Sequence, residues 1–150
     1  MTIQDQAVAA LCIWRENRGG GIPGMQSVLN VIVNRAAKTG QSVSAVVLDP
    51  EQFSSMTTAG NQELGTGPNA LHIPDWIAYL QAVTLASQAA SGTLVDLTHG
   101  STLYYAPEGI QTTATITLPT GTTVPFPEGW NASVVKYQAT IGSQLFFTET

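Results

Sequence analysis

The stretch Trp14–Gln26, WRENRGGGIPGMQ, decides how this chain folds. Its glycines spell G-x-G-x-x-G at Gly19, Gly21 and Gly24, the spacing of a dinucleotide-binding loop. Just before them stands Glu16, an acid with apolar neighbours. Either the glycines cradle phosphate, or they turn the chain and the acid carries the chemistry. A dinucleotide loop must follow a strand and open the helix of a βαβ unit. The residues upstream read as helix instead. Thr2 and Asp5 make a capping-box-like start, and Ile3, Ala7, Leu11 and Trp14 recur at helical spacing. At 100° per residue, Glu16 falls on a second stripe with Ala9, Cys12 and Ile13, so the pattern predicts a central helix buried on both faces. Pro23 suits the start of a following helix and lacks an N–H that an anion site would use. The glycines therefore read as a helix-breaking turn, and no nucleotide is expected.

Working outward, Met25, Val28, Leu29, Ile32, Val33 and Ala36 form the inner face of a second helix, which Gly40 closes as an αL cap. SVSAVVLDP reads as a short helix stopped before Pro50. A polar, glycine-bearing loop follows, from Glu51 to His72. PDWIAYLQAVTLASQAASG is a third long helix, with Trp76, Leu80, Val83 and Ser87 on one side. The period then changes. STLYYAP reads as a strand, TTATITLPTGTTVPF as a hairpin around Pro119-Thr120-Gly121, and ATIGSQLFFT as a further strand. Helices first and strands second predict an α+β fold, a helical part over about 1–92 packed with a small antiparallel sheet over about 93–150.

The 150 residues fit one domain, which at this size buries roughly 68–70% of its unfolded surface. Only 10% of residues are charged against 43% hydrophobic, so the chain is globular with a surface of Ser, Thr, Asn, Gln and Gly. Ten acids face five bases, Arg15, Arg18, Arg35, Lys38 and Lys136, which leaves no basic stripe for nucleic acid. Cys12 stands alone, excluding an internal disulfide and a cysteine-rich metal site. No apolar run approaches the ~20 residues that span a bilayer, and the N-terminus lacks the pattern of a secretory signal. The expectation is a cytoplasmic chain without membrane insertion, metal or other cofactor.

Glu16 on an apolar stripe meets a general acid's requirement, since desolvation disfavours a carboxyl's charged form. The plain alternative is an ion pair with Arg15, Arg18 or Arg35. The surrounding blocks weigh on that choice. WRENRGG…GMQSVLNVIVNR resembles the opening motif of the cell-wall hydrolases of the spore cortex-lytic (SleB-like) type, an acid before arginine-glycine and then a helix ending in asparagine-arginine, here Asn34-Arg35. The resemblance continues through VVLDPEQFS, GTLVDLTHGSTLYYAP and IGSQLFF, in order over roughly residues 8–147.

That resemblance implies a lysozyme- and lytic-transglycosylase-like fold and cleavage of peptidoglycan glycan strands between N-acetylmuramic acid and N-acetylglucosamine. It makes Glu16 the catalytic residue, protonating the glycosidic oxygen as an oxocarbenium-like transition state develops. In the transglycosylase route the same residue then activates the sugar's 6-hydroxyl. An inverting hydrolase would need a second acid roughly 6.5–9.5 Å away, for which Asp49, Glu51, Asp75 and Asp96 are available. Gln52, Phe53 and Ser54 match a family motif and are expected to shape the site. Tyr104 and Tyr105 point to opposite faces of a strand, one toward the core and one toward a groove. Trp130 is a groove wall or a core anchor.

Two departures stand out. The family often has glycine-glutamate after the arginine, where this chain has Gly19-Gly20-Gly21. Its closing motif commonly carries histidine and tyrosine where this chain has Gln144 and Phe147, so no polar role is carried over to those positions. The bare catalytic form resembles a phage or prophage endolysin, monomeric and held in the cytoplasm until a holin opens the membrane. Three other readings remain to be weighed. They are a Cys–His peptidase using Cys12 with His72 or His99, a zinc amidase, and an inactive phage structural or glycan-binding module of the same fold.

Overall fold

Thr2 starts the first helix, α1 (Ile3–Asn17): its hydroxyl accepts the Asp5 N–H while the Asp5 carboxylate accepts the Thr2 N–H, a closed capping box. Asp5 also accepts from the Ser44 N–H and hydroxyl, pinning α1 to the start of α3 (Val43–Val47). The computed structural model describes residues 1–56 and 76–150. A single 3₁₀ turn, Arg18–Gly20, joins α1 to α2 (Gly21–Thr39), which ends at Gly40 in the left-handed region. Pro23 thus sits inside the first turn of α2 rather than at its first position. Among the described residues the remaining long helix is α4 (Trp76–Ser91). The expected start of that helix at Pro74 and the loop beyond Met56 lie outside the described residues.

The helical core gathers Ala9, Cys12, Ile13 and Trp14 of α1, Met25, Val28, Leu29 and Ile32 of α2, Val43, Val46 and Val47 of α3, and Ala78, Ala82, Leu85 and Ala86 of α4. Two helix faces depart from expectation. Along the first stripe of α1 only Trp14 is fully buried; Ile3 is 85% exposed, so the helix is covered on the Glu16 side and open on the other. On α4 the side carrying Trp76, Leu80 and Val83 faces outward, and the buried side is built of alanines and Leu85. Small side chains let α4 approach α1 closely, and large ones on that face would hold the helices apart.

Among the described residues the strands form two antiparallel sheets. β1 (Leu103–Tyr105), β5 (Gln144–Glu149) and β4 (Val135–Ile141) make one, in the order β1-β5-β4; β2 (Thr115–Thr117) and β3 (Thr123–Pro125) make the other. The hairpin expected around Pro119-Gly121 is present, with Gly121 at φ 85°. ATIGSQLFFT is not one strand. Gly142, at φ 59°, and Ser143 turn it into the hairpin β4–β5. A two-residue turn with left-handed glycine in its first place is what hairpin twist demands.

Register then decides which way the aromatic residues face. Tyr104 pairs with Phe146 and stacks on it (centroids 5.7 Å apart, 22° between planes), on the side of the sheet turned to the helices. Tyr105, Leu145 and Phe147 point the other way, into a second core with Leu118 and Phe126. Full burial of Phe146 and Phe147 contributes roughly 1.5–3 kcal/mol each. The three-stranded sheet is therefore packed on both faces, and only one of them meets the end of α1. No helix among the described residues is long and apolar enough to cross a membrane.

Candidate active site

Glu16 is the last acid of α1, one residue from its end, and it continues the fully buried line of Ala9, Cys12 and Ile13 to the half-exposed rim. Two hydroxyls converge on its carboxylate. Ser55 donates to Oε1, and the Tyr104 hydroxyl donates to Oε2 over 3.2 Å. Burial, then the adjacent Glu16 charge, push the Tyr104 hydroxyl well above its ordinary value. Tyr104 therefore stays protonated and remains a donor at any working pH.

Each donor is held by its own framework. Ser55 lies in a 3₁₀ turn, Ser54–Met56, whose carbonyl at Ser55 accepts from Arg15 Nη1 at 3.1 Å; the same nitrogen lies 3.6 Å from Met56 Sδ. Arg15 thus holds the segment that supplies the Ser55 hydroxyl to its sequence neighbour. Arg35, from α2, donates through Nε to the Thr102 carbonyl at 2.5 Å and through Nη1 to Gln52 Oε1, with its guanidinium 5.6 Å above the Phe53 ring. Burial lowers the Arg35 pKa, but a guanidinium keeps its charge. Arg35 so joins the Gln52-Phe53 turn to the residue preceding β1, setting Ser55 and Tyr104 against Glu16 from two sides.

The expected site residues separate accordingly. Tyr104 and Glu16 come together, and Gln52 joins them indirectly through Arg35. Phe53, 1% exposed, anchors the turn from beneath, and Ser54 lies exposed beside it. Tyr105, 8% exposed, donates its hydroxyl to the Pro125 carbonyl and packs against Phe126, Trp130 and Phe147, so its ring faces no groove. Trp130 belongs to the same ring cluster and is a core anchor. Ser55 was not singled out from sequence, because a serine carries no periodic or spacing signal; it follows Gln52-Phe53-Ser54 by a single residue.

The glycine motif has a packing purpose. A Cβ on Gly20 would stand 2.6 Å from Asn17 Oδ1, and one on Gly24 would stand 2.8 Å from Asn17 Nδ2. Glycine at both places leaves room for the Asn17 amide, which donates to Gln144 Oε1 at 2.8 Å. Gln144, to which no polar role was carried over, thus takes one after all, with a partner 127 residues away.

Two of the other candidate acids, Asp96 and Asp49, are engaged in their own turns. Asp96 accepts from Thr98 N–H and hydroxyl, from Gly100 N–H and from Asn34; burial raises its carboxyl, but these bonds outweigh it and hold the group low. Asp49 caps the Glu51 N–H in its turn, and Glu51 is exposed. Asp75 and His72 lie outside the described residues. Cys12 is fully buried and burial pushes its thiol well up, which leaves a Cys–His peptidase without a thiolate nucleophile.

Comparison with known proteins bears on the fold and the family. Over the whole fold the chain is similar to the catalytic domain of the germination-specific lytic transglycosylase SleB from Bacillus anthracis, at 19% identity and a TM-score of 0.64, covering 97% of this chain and 95% of that one. The expected α+β architecture, helices followed by small antiparallel sheets, is the fold of that domain. No curated protein matches the chain. The family model described as cell wall hydrolase matches residues 19–147, opening just past Glu16, so the standing of that acid rests on the geometry above. With 19–147 matched out of 150 residues, the chain belongs to the cell wall hydrolase family.

Proposed function

We propose that the chain cleaves the glycan strand of peptidoglycan between N-acetylmuramic acid and N-acetylglucosamine, by a lytic transglycosylase mechanism in which Glu16 is the single acid and base. The observation that carries this reading is one carboxylate at a half-exposed helix end, gripped by two neutral donors, Ser55 and Tyr104. Protonated Glu16 donates to the glycosidic oxygen as the C1–O bond breaks and positive charge grows on the sugar ring. Its conjugate base then takes the proton of the muramyl 6-hydroxyl, whose oxygen closes on C1 to give a 1,6-anhydro end. Ser55 and Tyr104 hold the carboxylate in one orientation through both steps. The engagement of Asp49 and Asp96 in their own turns supports a one-acid route.

Turbidity clearing of purified cell walls, wild type against Glu16→Gln, tests the assignment; lysis that survives the substitution refutes it. Mass spectrometry of the released fragments checks the route. Anhydro ends are expected, and reducing ends would point to a water-dependent hydrolase.

A further inference from the structure

The end of α1 meets the sheet through two side chains in succession. Glu16 reaches β1, accepting from the Tyr104 hydroxyl, and Asn17 reaches β5, donating through Nδ2 to Gln144 Oε1 at 2.8 Å. One strand carries both attachments. Tyr104 pairs with Phe146 and stacks on it, and Gln144 lies two residues earlier on β5, on the same face of the sheet and about 6.6 Å along the strand. Asn17 itself has left the helical conformation, at φ −152° and ψ 37°, so Glu16 stands in the last turn, where helices fray. Asn17 is thus the place where α1 must be tied down. Gly20 and Gly24 keep open the space that its amide occupies.

The two attachments respond differently to the chemistry. The bonds from Ser55 and Tyr104 end on a carboxylate that, in the reading above, gives up a proton and takes one back in each turnover. A hydrogen bond to a charged acceptor is roughly twice as strong as one between neutral groups, so their hold loosens whenever Glu16 is protonated. Asn17 and Gln144 are both uncharged amides that do not titrate, so their bond is the same in every state. We infer that Gln144, acting through Asn17, is a positioning residue for Glu16. The amide bridge keeps the end of α1 in place against β5, and so the carboxylate opposite Tyr104, while Glu16 changes charge. This rests on the glycan-cleaving reading and adds to it the element that holds the acid when its own hydrogen bonds weaken.

Kinetics on soluble, peptide-free glycan strands test the assignment. Asn17→Ala and Gln144→Leu each remove one half of the bridge, and Asn17→Ala only takes atoms away from a crowded place. Each is expected to lower kcat roughly five- to tenfold, the scale of one lost hydrogen bond, with KM unchanged. The double variant is expected to fall no further than either single one, since both break the same bond. In a Tyr104→Phe background the same changes are expected to cost less than about twofold, because the hydroxyl whose place the bridge sets is gone. A bridge that only stabilises the fold would lower the melting temperature and leave the kcat of the folded protein at the wild-type value, or multiply its loss undiminished with that of Tyr104→Phe. Either result overturns the positioning role. So does a loss that falls on KM, which would put the amides in contact with the glycan instead. In each of these cases an inactive Glu16→Gln protein leaves glycan cleavage by Glu16 standing, and a Glu16→Gln protein as active as wild type overturns both.

Discussion

Replacing Gly20 by alanine is expected to destabilise the protein, and the same replacement in an Asn17→Ala background is expected to stabilise it. Gly20 has φ −82° and ψ 3°, which alanine adopts, so the backbone raises no objection. The obstacle is Asn17, whose Oδ1 would lie 2.6 Å and Cγ 3.0 Å from the new methyl. Its amide must swing away and release Gln144, at a cost of about 1 kcal/mol for the hydrogen bond. A strained rotamer adds roughly 0.5–1.5 kcal/mol. Against this stands a gain of about 0.4–1 kcal/mol, because alanine has fewer unfolded conformations than glycine. The net is a loss near 1 kcal/mol, or about 2–4 °C in melting temperature for a domain of this length. With Asn17 already cut back to alanine, only the entropy term survives and the sign reverses. Urea unfolding of the four proteins measures both changes, provided the slope m is constant across them. Gly20→Ala acting with the same sign in both backgrounds would refute the claim that the glycine exists to seat Asn17.

Two further outcomes follow from the site and from the N-terminal cap. Hydrogen bonds to a charged acceptor contribute about 1.5–3 kcal/mol, so Tyr104→Phe and Ser55→Ala are each expected to lower wall-clearing turnover roughly tenfold or more; wild-type clearing in either variant would show that its hydroxyl does not orient Glu16. Asp5 is held far below the usual carboxylate range by the Ser44 hydroxyl, then by the Thr2 and Ser44 N–H groups, so its stabilisation is complete above the unfolded value of about 3.9 and drains away as the pH falls further. Asp5→Asn should therefore flatten the acid limb of a melting-temperature profile below about pH 4, and an unchanged limb would place acid sensitivity elsewhere.

Local chemistry made some of this protein legible without coordinates. The capping box, the left-handed glycine at position 40, the β2–β3 hairpin and the helical stripe ending in Glu16 all depend on residues within a few positions of one another. The reading failed where the same local signal admits two tertiary outcomes. An apolar stripe on α4 looks the same whether it is covered or open, and the fold buried the alanine face instead. ATIGSQLFFT reads as one strand unless Gly142 is recognised as a turn, and then it becomes the end of β4 and the start of β5, which carries both Gln144 and Phe146.

The sequence by itself determined that the glycines of WRENRGGGIPGMQ break a helix and that Glu16 ends an apolar line. Helix periodicity and the missing strand suffice for both. Only the tertiary structure decided what faces that acid. Ser55 comes from 39 residues away and Tyr104 from 88, while Gln144 crosses 127 to meet Asn17. Side-chain hydrogen bonds at such separations leave no pattern along the chain, because they are set by how the sheet's register and the helix ends meet in space.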